Sequence, residues 1–341
     1  IEIKGHSIQA TDTDPALYAG SWATGADQNT GKQQSGSVGT STAALAIGGY
    51  NHPPGILAIC EQYNGSSWTE VADLNAARTG VSGGGGSSTA ALWAGGDQYP
   101  NPRYTNASES FDNSSWTATP SLNTSRNGSA MMGASSTAAI IATGVGPGPP
   151  DGTPTVNAEV YDGSSWTEVA NVNTHRVNMS CAGPSTAGII ICGDTPPPTN
   201  QTLVEHWNGT AWTEGTDTNA SRRGHGSSRI SNTSVIIFGG RTGVPETNNV
   251  ATAEAWDGST WTEVNDLGTG RANVSGAGAD NTTAICWGPA NNTTMEEFSF
   301  PSAPAAQVGQ VWFNTVSNTL KGLAAQGTGA WASGGNLNEE R

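Results

Sequence analysis

The sequence predicts an all-β fold: a six-bladed β-propeller whose N-terminal strand closes the last blade, followed by a C-terminal β-hairpin extension. Three observations carry this expectation. Trp22, Trp68, Trp116, Trp166, Trp212 and Trp261 follow one another at intervals of 46, 48, 50, 46 and 49 residues, by subtraction of their positions. A period of roughly 45 to 50 residues marks a propeller, in which each repeat is a four-stranded blade that buries its faces only by stacking on its neighbours. Ten positions after each Trp stands a basic residue: Lys32, Arg78, Arg126, Arg176, Arg222 and Arg271, with Trp331 and Arg341 repeating the pair at the end of the chain. No segment shows the 3.6-residue period of an amphipathic helix.

Residues 1–20 are polar, lack the repeat and read as a linker, with Asp12, Asp14 and Pro15 in a loop. The propeller is placed at residues 21–300. Each repeat opens, after its basic residue, with a strand of small residues such as Gly80 to Gly84. An apolar run closed by Gly follows, as in Ala44 to Gly49, Ala139 to Gly144 or Val235 to Gly240, and reads as a central strand buried on both faces. A variable, Pro-rich segment leads to a third strand of alternating character, such as Ala158-Glu159-Val160-Tyr161. Asp162-Gly163 or Asn208-Gly209 then supplies the positive φ of a two-residue hairpin into the Trp strand, the outermost one. From there the chain turns inward through Leu/Val-Asn-x-x-Arg.

Strand counting gives the closure. Six repeats begin after the six basic residues, but the sixth meets Pro301 after its third strand, Met295 to Phe300, and has no Trp strand of its own. Trp22 is the spare one. Since an open edge exposes unpaired backbone groups, Ser21 to Ala26 is expected to fill the outer position of the last blade.

Residues 301–341 are expected to hold a linker, a hairpin turning near Val316 to Asn318, and the start of a further repeat. Trp312, Trp331 and Leu337 there are candidate assembly residues, because the copied closing strand has no vacancy in its own ring. Ile3-Lys4-Gly5 matches Leu320-Lys321-Gly322, so the chain reads as one segment of a longer array.

Composition narrows the function. Charged residues make up 12% of the chain and the formal net charge is −15, which disfavours nucleic acid and anionic membrane surfaces as partners. No apolar run is long enough to span a membrane, and no signal peptide is evident. Cys60, Cys181, Cys192 and Cys286 lack metal-site spacing, so no metal and no cofactor is expected. The thiols read as buried and free, with a Cys181–Cys192 contact across a hairpin as the alternative.

The repeat grammar resembles the kelch repeat: a Gly-Gly ending one strand, an aromatic then Asp/Asn before a turn, a Trp about five residues on, and Arg ten residues after that Trp. Three repeats depart from the double Gly, with Thr143-Gly144, Gly193-Asp194 and Gly288-Pro289. The Ser-Trp-Thr and Leu-Asn-x-x-Arg wording is similar to kelch-like proteins of bacteriophages of aquatic bacteria. The Gly309-Gln310-Val311-Trp312-Phe313-Asn314 segment is similar to linkers of phage tail and fibre proteins. The resemblance implies a virion or extracellular location, with other copies of the chain or neighbouring fibre proteins as partners and cell-surface glycan as a candidate ligand.

In a propeller the inward-turning linkers end beside the axis, so Lys32, Arg78, Arg126, Arg176, Arg222 and Arg271 are expected to ring one mouth of the channel. There they either bind a carboxylate or acidic sugar or hydrogen-bond carbonyls of the neighbouring blade. The rim Trp residues either stack sugars or pack between blades, and packing is favoured by their identical placement. The five His are scattered and no catalytic spacing appears, so no catalytic residue is assigned. The expected function is a non-enzymatic structural and adhesive module. The alternative is a carbohydrate-active enzyme on a propeller scaffold.

Overall fold

The computed structural model describes residues 19–53, 55–98, 103–148, 152–195, 199–243, 248–289 and 292–300, and the strand backbones of 311–314 and 319–322. Two compact units are present, Gly20–Ser299 and a second one made of the two chain ends. In the second unit, Val311–Asn314 pairs antiparallel with Thr319–Gly322, Trp312 opposite Lys321. The expected turn at Val316 to Asn318, and the candidate assembly residues Trp331 and Leu337, lie outside the described residues.

Gly20–Ser299 is all-β, a propeller-like ring of small sheets. Its first sheet runs Gly36–Thr40, Ala43–Asn51, Gly55–Tyr63, Trp68–Val71. Two further four-stranded sheets repeat that order: Ser180–Ala182, Gly188–Ile191, Val204–Trp207, Trp212–Glu214, and Gly226–Ser227, Val235–Phe238, Ala253–Trp256, Trp261–Val264. The last joins the two ends of the unit, Ser21–Thr24, Met295–Ser299, Thr283–Trp287, Ser275–Ala277, with Trp22 opposite Phe298.

The expectation of six separate sheets needs correction, because only four stand alone as four-stranded units. The strands of the second and third repeats share one eight-stranded sheet, with Val81–Ser87 and Ser129–Ser135 paired in parallel at its middle, Ser129 opposite Val81 through Gly133 opposite Gly85. Composition explains the fusion. A Cβ on Gly83 would collide with the Met131 carbonyl, so glycine is what lets these two backbones come within hydrogen-bonding distance.

The ring closes on itself. The innermost strands touch in chain order, and the last of them, Ser275–Ala277, touches the first, Gly36–Thr40. Backbone hydrogen bonds run around the axis: Gly80 N–H to Gln34 C=O (3.1 Å), Gly128 to Gly80 (2.6 Å), Gly224 to Asn178 (2.8 Å), Val274 to Gly224 (3.3 Å) and Gln34 to Asn273 (3.1 Å). The residues that start these strands, Gln34, Gly80, Gly128, Asn178, Gly224 and Asn273, all have positive φ, which Gly and Asn adopt at low cost. The core lies between sheets. Central-strand residues such as Leu45, Trp93, Ile141, Ile190, Ile237 and Trp287 are fully buried, and Trp68, Trp116, Trp166, Trp212 and Trp261 are buried among them rather than laid out flat on the rim.

All four Cys are free and buried, and Cys181 faces Ile190 rather than Cys192 across its hairpin. Burial pushes Cys60 and Cys192 up to about 11, Cys286 up to about 12, and Cys181 upward. Thiolate is the reactive form. A disulfide reagent at pH 8 should therefore leave the folded protein unlabelled and modify four thiols per chain after denaturation; rapid labelling of native protein would contradict this burial.

The turn into the Trp strands from Trp68 to Trp261 is a four-residue loop, not the two-residue hairpin that Asp162-Gly163 or Asn208-Gly209 suggests, since Tyr161 pairs with Trp166 and Tyr63 with Trp68. The side chain decides this. Asp162 Oδ1 accepts from the Ser164 and Ser165 amides (2.8 Å each) and the Ser164 hydroxyl, which spreads the turn over residues 162–165. Asn64, Asp112, Asn208 and Asp257 do the same. These bonds hold Asp112, Asp162 and Asp257 at about 2, led by the Ser114 hydroxyl, the Ser164 hydroxyl and the Thr260 amide respectively. A depressed carboxylate contributes stability above its ordinary value of 3.8, and that contribution disappears as pH falls from about 4 to about 2. The triple variant Asp112→Asn, Asp162→Asn, Asp257→Asn should keep its turns, as Asn64 and Asn208 already show, while its urea midpoint falls less than that of the parent between pH 4 and pH 2. Equal acid sensitivity would contradict this assignment.

Candidate functional site

The motif Asn-x-x-Arg and the glutamate of the following third strand build one arrangement again and again. In the third repeat, Arg126 Nη2 meets Glu159 Oε1 at 2.6 Å, and Nη1 donates to the Asn157 carbonyl at 2.7 Å. Asn123 completes the clasp. Its amide donates to Glu159 Oε2 (2.7 Å), and its side-chain nitrogen bonds both Glu159 Oε2 (3.0 Å) and the Trp166 carbonyl (2.9 Å). The linker leaving one repeat therefore grips the third and outer strands of the next. Alternation in the third strand makes this possible, because Glu159 and Tyr161 stand two residues apart and so share a face.

The same clasp joins Arg78 to Glu109 (2.5 Å), Arg176 to Glu205 (2.9 Å), Arg222 to Glu254 (2.6 Å) and Arg271 to Glu296 (2.6 Å), while Lys32 reaches Glu61 at 3.1 Å. Asn29, Asn75 and Asn173 repeat the Asn123 contacts, Asn219 gives its amide to Glu254 and its side chain to the Trp261 carbonyl, and Gly268 offers only its amide. The side chains of Lys32, Arg78, Arg126 and Arg222 are 0% exposed, Arg176 1% and Arg271 7%. Burial draws the Arg78, Arg126 and Arg176 guanidinium groups below their ordinary value, and each glutamate partner opposes it.

The expectation that Lys32, Arg78, Arg126, Arg176, Arg222 and Arg271 present themselves at an open mouth is therefore corrected. A guanidinium spent on one carboxylate and on the carbonyls of its neighbour, as Arg78 is on Gly95 and Ala107, has little left for a ligand. The alternative, hydrogen bonding to carbonyls of the neighbouring repeat, is what the geometry shows. Glu61, Glu109, Glu159, Glu205, Glu254 and Glu296 were not singled out from the sequence. A signal was there: one acid in each third strand, 29, 31, 33, 29, 32 and 25 residues after the basic residue, by subtraction of their positions.

Trp22 sits in the closing strand, its ring 5.2 Å from Phe298 and 5.0 Å from Phe238, and its Nε1 donates to the Asn265 carbonyl at 3.0 Å. The segment that follows continues along the last sheet, Gly25 N–H to Met295 C=O and Gln28 N–H to Thr293 C=O, and then clasps the first sheet through Asn29 and Lys32. One stretch of chain thus holds both ends of the ring.

No protein family model matches the chain, and no curated protein is similar to it in sequence.

What remains open near the axis lies on the side where linkers enter. A small cavity of about 40 Å³ is lined by the strand-initiating residues of every repeat and by residues just after them, among them Ser82, Ser129, His225 and Ser275. Beside that face, Tyr50 and His52 stand at the end of the first hairpin with ring centroids 6.4 Å apart, Tyr50 half-buried and His52 exposed. His175 Nε2 donates to the Gly144 carbonyl on the same face, 2.9 Å away, and burial lowers its pKa. Among the described residues, no three His, Cys, Asp or Glu side chains lie close enough together to hold a metal ion.

Proposed function

We propose that this chain is a six-bladed, kelch-type propeller serving as a non-enzymatic structural and adhesive module of a phage tail fibre, virion appendage or related extracellular fibre. The observation that carries the six-fold count is the clasp: six cation–glutamate pairs, each tying one repeat to the next, the sixth repeat completed by Ser21–Thr24. On this reading the eight-stranded sheet is two blades whose inner strands meet in parallel, as adjacent inner strands of a propeller run. The adhesive reading rests on where the charge is spent. The repeated cations hold the scaffold together, and the half-exposed aromatic pair Tyr50 and His52 is left on the entry face to stack on a sugar ring.

End-to-end assembly through the C-terminal piece belongs to the same proposal. With Ser21–Thr24 in place, the ring has no outer position to offer the Trp331 strand, so that strand would add to a following propeller, either later in the same polypeptide or in a neighbouring subunit. The test is a glycan array run beside a hydrolysis assay on the same polysaccharides. Binding without product, lost in Tyr50→Ala, supports adhesion. Release of sugar overturns it in favour of a carbohydrate-active enzyme, and the absence of any glycan binding removes the adhesive part.

A further inference from the structure

Five repeats carry a glycine late in the inner strand: Gly39, Gly86, Gly133, Gly183 and Gly278. A Cβ at each would run into the carbonyl of Ala43, Ala90, Ala138, Ala187 or Thr283. The fifth repeat has Arg229 instead, and its backbone joins two of those glycines, accepting from Gly183 N–H (2.9 Å) and donating to Gly278 C=O (3.0 Å). Its side chain turns across the axis. Nε donates to the Gly276 carbonyl (3.3 Å), and Nη1 donates to Ser82 Oγ (3.3 Å) and the Cys181 carbonyl (3.2 Å), so it touches three other repeats. Unlike the six clasp cations, Arg229 has no carboxylate partner among the described residues, and its Nη2 makes no hydrogen bond there. It is nevertheless 8% exposed.

Ser82, which accepts from Arg229, also lines the axial cavity, and no Asp or Glu does. His225 lines it too, 2% exposed, with Nε2 2.7 Å from Ser180 Oγ and a buried Nδ1 that has no partner. A buried cation without a counter-charge, beside a buried ring nitrogen without a partner, is costly unless something fills both needs. We infer that the axial cavity is a binding site for one small monovalent anion of halide size, held by His225 Nδ1–H and by the charge of Arg229. An anion there requires Nδ1 to carry the hydrogen, and the Ser180 hydroxyl then donates to Nε2. Burial, reinforced by the neighbouring Arg222 and Arg229 charges, keeps His225 neutral, as this tautomer needs. The cavity admits about three water-sized species, and the one uncompensated guanidinium matches a single negative charge.

The full chain should be melted in sodium chloride and in sodium gluconate at equal ionic strength, and its crystals soaked in bromide. Each tenfold rise in chloride above Kd should raise Tm by about 2–4 °C, gluconate should leave it unchanged, and bromide should give an anomalous peak on the axis beside His225. Arg229→Gly, which restores the residue of the other five repeats, should lose the chloride response while keeping its far-ultraviolet spectrum. His225→Ala serves as a second variant should that one fail to fold, and it should lose the response as well. A chloride response equal in variants and parent, no response in the parent, or an axis that holds water alone after the bromide soak overturns the proposal.

Discussion

Replacing Glu159 with Ala should destabilise the ring by about 3–5 kcal/mol, because it leaves the Arg126 guanidinium buried with no counter-charge. It also strands the Asn123 amide and side chain, which donate to the same carboxylate. The double variant Arg126→Met, Glu159→Leu should recover most of that loss, since a well-packed apolar pair of similar volume is often as stable as the ion pair it replaces. Urea unfolding of the parent, both single variants and the double variant decides the matter. A single-variant loss under about 1 kcal/mol would mean that water reaches Arg126 and that the pair behaves like a surface one.

Deleting residues 1–26 should have the larger effect, removing most of the ~5–15 kcal/mol by which a domain is ordinarily stable. Three losses coincide. The pairing of Ser21–Thr24 with Met295–Ser299 goes, and with it the Trp22 contacts on Phe238 and Phe298 and the Gly25 hydrogen bond that leads the chain toward the first sheet. The exposed edge of Met295–Ser299 then invites pairing between molecules. A synthetic peptide of residues 19–26, added in trans, should restore the cooperative melt, because it carries the missing strand while the truncated chain keeps its own Asn29/Lys32 clasp. A truncated chain that melts like the parent would show that closure contributes little.

The repeat was readable because packing between sheets demands the same residue at the same place. Apolar runs closed by Gly gave the central strands, and the absence of a Trp strand before Pro301 gave the role of Trp22. Sequence reasoning missed where tertiary partners decide. Asp162-Gly163 reads as a two-residue hairpin only until Asp162 Oδ1 finds two amides at once. The basic residues read as mouth-lining because their position in the linker is visible, whereas the glutamate that buries each one lies about thirty residues on, in a strand whose alternation looks ordinary. The joining of two repeats into one sheet depends on Gly83 meeting the Met131 carbonyl, a backbone approach that no single-sequence pattern displays. Arg229, in a place where five other repeats have glycine, was visible in the sequence but had no meaning until the axis was seen.

The central claim is that a single chain closes its own ring through Ser21–Thr24. Ala23 and Glu297 face each other in that pairing, and the four native thiols are buried, so an Ala23→Cys, Glu297→Cys variant of the full chain offers two new thiols at the seam. Under mild oxidation followed by non-reducing mass analysis, the account predicts one intramolecular disulfide in a monomer, with both new thiols protected. Disulfide-linked dimers or larger species, or thiols that stay free, would contradict it.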